Sequence, residues 1–407
     1  MSESVVVTGL GVVSPLGLDV PSFWSALTAG RCAIGPIRNI NTEGLTNAVA
    51  AEIHDFDPAK HFDPRKLPLL DRFSQMAVVA AREAVAQSGL PLGQSDLAEQ
   101  TACIMGTGVG GQTTLEESYT KLMTSDRPNV RVHPFTVPRL MANAAGSQIS
   151  MDMGITGPGF TVASACASST HAIGVAYQMV RSGAVRAAVT GGSEACLTFG
   201  TLKGWEALRV MAPDTCRPFS TGRAGMVLGE GAAVVVLERE SDAKARGAHI
   251  LAHLAGFGMS SDARDITTPD ANGSTRAMRL ALRDAGLNPQ DVDHINAHGT
   301  GTRLNDTTES AAMHMVFEAH TKNIAVSACK SSFGHALGGA GALEFIATVM
   351  ALREGVAPPT LGFQGPDPEC DLDIVANEAR PMPGMKTALS NSFAFGGLNA
   401  VLALRRY

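Results

Sequence analysis

Apolar residues fall in short blocks separated by polar, glycine-rich turns. Residues 5–8 (Val-Val-Val-Thr), 101–105, 160–163, 232–237, 294–297 and 400–404 read as strands. Alanine-rich stretches between them predict helices over 80–90, 113–122, 170–180, 238–246 and 277–287, two of them closing on Gly89-Leu90 and Gly286-Leu287. This alternation predicts an α/β fold with helices layered on sheets. No apolar run approaches the ~18 residues that a membrane span needs.

The pattern is written twice. Ser164-Ala165-Cys166-Ala167-Ser168-Ser169 is followed by His171 and Gly174, and Ser327-Ala328-Cys329-Lys330-Ser331-Ser332 by His335 and Gly338. Upstream, helix, polar turn, strand and a Gly-Thr-Gly triplet recur at 106–108 and 299–301. The triplet lies about sixty residues before its cysteine in the first copy and about thirty in the second. The first copy therefore carries an insertion over roughly 112–150. Two related halves follow, 1–250 and 251–407, the first with the insertion and Cys166, the second with His298 and His335.

Composition narrows the class. The chain has 407 residues, 45% hydrophobic and 17% charged, which excludes disorder as the dominant state. The low charge also points to surface buried against another subunit. A net charge of −6 argues against general nucleic-acid binding. Seven cysteines, odd in number and without a CxxC, argue against a disulfide framework and a structural zinc site. No basic leader precedes Val5, so a reduced, cytoplasmic protein is expected.

Cys166 follows a strand and precedes a helix, where free amide N–H groups favour a thiolate; alternatively it is a buried small hydrophobe. His298, in Asn296-Ala297-His298-Gly299-Thr300-Gly301-Thr302, and His335 occupy comparable strand-to-helix turns. One cysteine and two histidines can supply a thioester-forming nucleophile and two proton donors. The set lacks the carboxylates and spacing of a catalytic zinc site, so no metal is expected. Gly106-Thr107-Gly108-Val109-Gly110-Gly111 fits GxGxxG, yet its counterpart at 299 lacks that pattern. A tight turn lining a pocket is preferred to a nucleotide site. Asn391 to Asn399 reads either as a hairpin turn with two packed aromatics or as a loop offering an N–H and an aromatic gate. Lys60, Arg65, Lys66 and Arg72 form a modest basic cluster, either a solvated face or a dock for an acidic partner.

These residues resemble the β-ketoacyl-acyl carrier protein synthases, condensing enzymes of the thiolase-fold superfamily. The likeness runs through Val7-Thr8-Gly9-Leu10-Gly11, the Cys166 turn, Arg217-Pro218-Phe219, Val227 to Gly231, the His298 turn, Lys330 to His335, and Asn391 to Asn399. The ordered Cys, His, Lys, His set is that of elongating, type II synthases. The 202–219 stretch looks most like rhizobial nodulation and bacterial polyene ketosynthases. The resemblance implies a five-layered αβαβα sandwich of duplicated halves. It implies an acyl group on Cys166 and decarboxylation of a malonyl group assisted by His298 and His335. Lys330 is implied to hold His335, with Glu344 as its partner. The N–H groups of Cys166 and Phe395 would form the oxyanion hole; Phe395 would also gate the acyl pocket beside Phe393. Thr300 and Thr302 would line the phosphopantetheine channel, that group arriving on the acyl carrier protein, so no resident cofactor is expected. A homodimer, or a heterodimer with a chain-length factor, is implied. Cys329, the repeat counterpart of Cys166, is expected to be structural. Ala394 (usually Gly), Leu398 and Phe333 (often Thr) depart from the housekeeping pattern, as does a short 208–216 loop. They put in doubt a role in bulk fatty-acid elongation. A non-catalytic chain-length factor lacks the cysteine, and a thiolase needs a second catalytic cysteine that 391–399 does not contain.

Overall fold

The computed structural model describes residues 3–93, 95–127 and 129–407. Met1 and Ser2 of the leader reading and Pro128 of the insertion lie outside the described residues. Eleven strands of the described residues form one mixed sheet. They are β1 Val5–Val13, β2 Thr101–Gly106, β3 Gly159–Val162, β4 Ala187–Glu194, β5 Gly231–Arg239, β6 Ala252–Ser261, β7 His294–Asn296, β8 Ala325–Ser327, β9 Asp373–Ile374, β10 Thr387–Ala394 and β11 Leu398–Arg406.

The sheet is the same pattern twice. The first half runs β1-β5-β4-β2-β3 and the second β6-β11-β10-β7-β8, with β9 added at its edge. In each half the first two pairings are antiparallel and the last two parallel. The halves join where Val5 to Val7 pair with Leu254 to Ala252.

Five helices build the layers: α1 Arg72–Ser88, α2 Ser168–Arg181, α3 Ala271–Ala285, α4 Arg303–Phe317 and α5 Ala340–Glu354. α1 covers the outer face of the first half-sheet, while α3, backed by α4, covers that of the second. Between the half-sheets lie α2 and α5, and α5 is buried from Ala340 through Leu352. A helix buried all round and apolar but for Glu344 and Thr348 belongs in such a middle layer. The result is the αβαβα sandwich of the thiolase-like fold.

Glycine sets how closely the outer helices approach. A methyl group on Gly9 or Gly11 of β1 would lie 2.0 or 1.9 Å from the carbonyl oxygens of Ala84 and Ala80 in α1. On Gly256 or Gly258 of β6 it would lie 2.5 or 2.1 Å from those of Ala281 and Ala277 in α3. The same glycine pair faces the same alanine pair in both halves, which accounts for part of the small-residue composition.

Several element bounds differ from expectation. The helix expected over 80–90 begins at Arg72, with Asp71 accepting from the Phe73 N–H at its start and Gly89 (φ 60°) closing it. β5 continues through Arg239, so Glu238 is a buried strand residue paired with Arg246 at 2.6 Å rather than the start of a helix. Asn391, Ser392 and Phe393 belong to β10, and only Phe395 to Gly397 make the turn. Arg72 leaves the proposed docking cluster. Its guanidinium grips Glu230 with two bonds of 2.7 Å and reaches the Ile53 carbonyl at 3.0 Å. Lys60, Arg65 and Lys66 are exposed.

Candidate active site

The nucleophile turn is strained. Ala165 adopts φ +49°, a left-handed conformation that costs an alanine energy. The turn is held by Ser168, whose hydroxyl donates to Ala165 O at 2.6 Å and accepts from Ser164 N–H at 2.9 Å. His171 adds a 2.8 Å bond between its Nδ1 and the Ser164 hydroxyl. Cys166 thus stands two residues before α2, facing a cavity of about 480 Å³. Burial pushes its thiol up to about 11, opposed by the Lys330 charge and then by the neighbouring amides of Phe395 and Cys166. Both proposed oxyanion-hole donors therefore lie close to Sγ.

His298 and His335 sit across from it. One donor atom from each of Cys166, His298 and His335 lies within 4.8 Å of the others. The imidazoles meet edge to face with centroids 5.4 Å apart. Lys330, fully buried, donates to Glu344 Oε1 (2.5 Å), His298 O (2.6 Å) and His298 Nδ1 (3.2 Å). All three ammonium protons are thereby placed, and a donated bond at Nδ1 leaves the His298 proton on Nε2. The expectation that Lys330 holds His335 is corrected. Neither His335 ring nitrogen has a hydrogen-bond partner among the described residues, and its backbone is fixed by bonds to Val227 O (2.7 Å) and from Gly229 N–H (3.0 Å). Burial, then the Lys330 charge, holds both imidazoles well below the usual histidine range, so both are neutral near pH 7. Burial pushes Glu344 up to about 7, opposed by Lys330.

The other expected residues fall into place around this centre. Thr300 and Thr302 share a 2.8 Å hydroxyl contact on the cavity wall. Phe393 lies against His298 at 6.3 Å, and Phe395 lines the same space. Cys329 is fully buried and is not among the residues lining this cavity.

Three buried carboxylates escaped the sequence reading. Glu309 of α4 accepts the His298 and Gly299 N–H groups at 2.8 Å each and so fixes the histidine backbone. Asp306 accepts from Phe219 N–H at 2.8 Å and Gly301 N–H at 3.2 Å. Glu194, at the end of β4, accepts from Gly108 N–H (2.6 Å), Val109 N–H (3.2 Å), Thr107 Oγ1 (2.9 Å) and Gly338 N–H (3.0 Å). The amides of the GxGxxG-like turn are therefore occupied by the protein's own carboxylate, which leaves no cradle for a pyrophosphate. The only sequence signal was an acidic side chain at a strand end amid small residues, as in Gly191-Gly192-Ser193-Glu194-Ala195.

A strained turn presenting a thiol to two neutral imidazoles defines a condensing-enzyme site on a thiolase-like fold, and sequence comparison gives the family. Residues 2–243 match the description "Beta-ketoacyl synthase, N-terminal domain" and residues 251–364 "Beta-ketoacyl synthase, C-terminal domain". The chain belongs to the β-ketoacyl synthase family of condensing acyltransferases. It is 48% identical to "Nodulation protein E" of Rhizobium sp. (strain N33) over all of both chains. It is 42% identical to "3-oxoacyl-[acyl-carrier-protein] synthase 2" of Coxiella burnetii (strain RSA 493 / Nine Mile phase I), covering 99% of this chain and 98% of that one. A solved structure described as "The ishigamide ketosynthase/chain length factor" superposes with a TM-score of 0.94 at 36% identity over the full length of both chains.

Proposed function

We propose that this chain catalyses decarboxylative condensation of malonyl-acyl carrier protein with an acyl group held on Cys166. The observation that carries the reading is the convergence of Cys166, His298 and His335 on one cavity. In the first half-reaction Cys166 sulfur attacks an acyl-carrier thioester, the carrier thiol leaves, and the oxyanion meets the N–H groups of Cys166 and Phe395. In the second, malonyl-carrier loses CO₂ while neutral His298 and His335 donate to its thioester oxygen. The resulting carbanion attacks the Cys166 thioester; the sulfur departs as a thiolate and takes up a proton. The product is a 3-oxoacyl carrier protein two carbons longer. As written, the atoms balance without a resident cofactor, and the phosphopantetheine arm passes Thr300 and Thr302.

The partners proposed are an acyl carrier protein, docking near Lys60, Arg65 and Lys66, and a second chain of the same fold. The second chain, a copy of this one or a chain-length factor, would cover the edge strand β3. Around that edge Phe160, Met151, Val137, Phe135 and Met141 are exposed at 42%, 68%, 61%, 46% and 44%.

Peptide mapping by mass spectrometry after incubation with an acyl carrier tests the assignment. The acyl group is expected on Cys166, with none in Cys166→Ala. An acyl group on Cys329 would overturn it.

A further inference from the structure

The indole of Trp205 stacks on the ring of Phe395, centroids 5.7 Å apart and planes 26° from parallel, and both rings line the cavity that holds Cys166. The two rings ride on unlike supports. Trp205 belongs to the helix Phe199–Ala207, which is tied at both ends. Glu116 accepts from the Phe199 and Gly200 N–H groups at 2.8 and 2.6 Å, and Glu206 accepts from Asn47 N–H at 2.7 Å. Phe395, in contrast, precedes Gly396 and Gly397, with φ of +82° and +69°. A Cβ at Gly396 would meet none of the described residues within 4 Å, so this turn has room to move. The turn is further tethered by bonds from Gly396 N–H to Ile266 O at 2.7 Å and from Asp262 N–H to Gly397 O at 2.9 Å, and by Asn399 Nδ2 donating to Gly397 O at 3.3 Å.

We propose that Trp205 is the latch of the Phe395 gate, a positioning residue that keeps the Phe395 N–H facing the cavity beside Cys166 and releases the ring when an acyl chain enters. The inference rests on the reading of Cys166 as the acyl carrier. The stacked ring and the oxyanion-hole N–H belong to one residue, so loosening the first displaces the second. Acylation then loses part of its oxyanion stabilisation.

The chain contains two tryptophans, Trp24 and Trp205, so fluorescence can isolate the latch. Wild type is acylated from an acyl carrier while emission is followed, and single-turnover acylation rate constants are measured for wild type, Trp205→Ala and Trp205→Phe. These rate constants do not depend on the folded fraction. The expected result is an emission change on acylation that both variants lack. A rate about fivefold lower is expected in Trp205→Ala, the worth of one aromatic pair, with recovery towards wild type in Trp205→Phe. Unchanged emission in wild type that mass spectrometry shows acylated on Cys166 would overturn the latch. So would a Trp205→Ala rate within about twofold of wild type. A wild-type chain that takes no acyl group on Cys166 defeats the condensing reading first, and the latch with it.

Discussion

At the level of single residues, the buried Lys330 ammonium joins His298 to Glu344 behind the Cys166 thiol. Cys166, His298, His335 and Lys330 stand out because cysteine, histidine and lysine are uncommon in turns otherwise built from Gly, Ala, Ser and Thr. Which histidine Lys330 contacts depends on side-chain reach across the fold, which turn spacing does not encode. The structure assigns it to His298. That wiring has a consequence for pH dependence. Both imidazoles are depressed well below 6.5 by burial first and then by Lys330. Each therefore stays neutral until the pH falls well below that value. The two histidines are therefore expected to add no inflection to the condensation rate of pre-acylated enzyme between about pH 6 and pH 8, and a break near 7 belongs to Glu344 beside Lys330. Rapid-quench assays across that range, in wild type and Glu344→Gln, check this, and an inflection between about pH 6 and 7 that persists in Glu344→Gln would contradict it.

For the elements, what could be read was periodicity and what could not was the use of buried polar groups. Strand and helix positions follow from alternation and alanine-rich spacing, and the duplicated glycine and alanine pairs of β1 with α1 and β6 with α3 carry the repeat. Glu194 is different, because an acidic residue in a strand ordinarily points to solvent. Here it accepts hydrogen bonds from the Thr107–Val109 turn of one half and from Gly338 of the other. Burial pushes its carboxyl from 4.5 to about 7 despite those bonds. The folded chain thus holds this proton more tightly than the unfolded chain. Its stabilising effect is complete below about pH 4.5 and is lost as pH rises through about 7. Glu194→Gln removes the titration. Its melting temperature relative to wild type is therefore expected to rise between about pH 5 and about pH 8, whatever the offset from altered bonding. Parallel melting curves over that range, by calorimetry, would show that Glu194 does not titrate as described.

On the scale of the whole molecule, the doubled topology was visible as two copies of one motif order, because the repeat preserves turn chemistry even where the side chains have diverged. The second chain proposed to cover the β3 edge has only the low overall charge as its sign in the sequence. Phe160→Arg places a charge on that edge and is expected to weaken association with a second chain by at least about tenfold, measured by sedimentation velocity. Unaltered association would place the contact elsewhere. The middle layer also bears on synthesis. α5 fills the inner face of the first half-sheet as well as the second, and β11 lies between β6 and β10 yet is made after every other strand of the sheet. A nascent chain that has completed residues 1–250 therefore holds a sheet whose inner face lacks its α5 cover, and it waits through most of the second half for that helix. This is the kind of intermediate that invites chaperone capture during translation. Slow-codon stretches before α5 would prolong that exposure, and truncations that remove α5 would make it permanent.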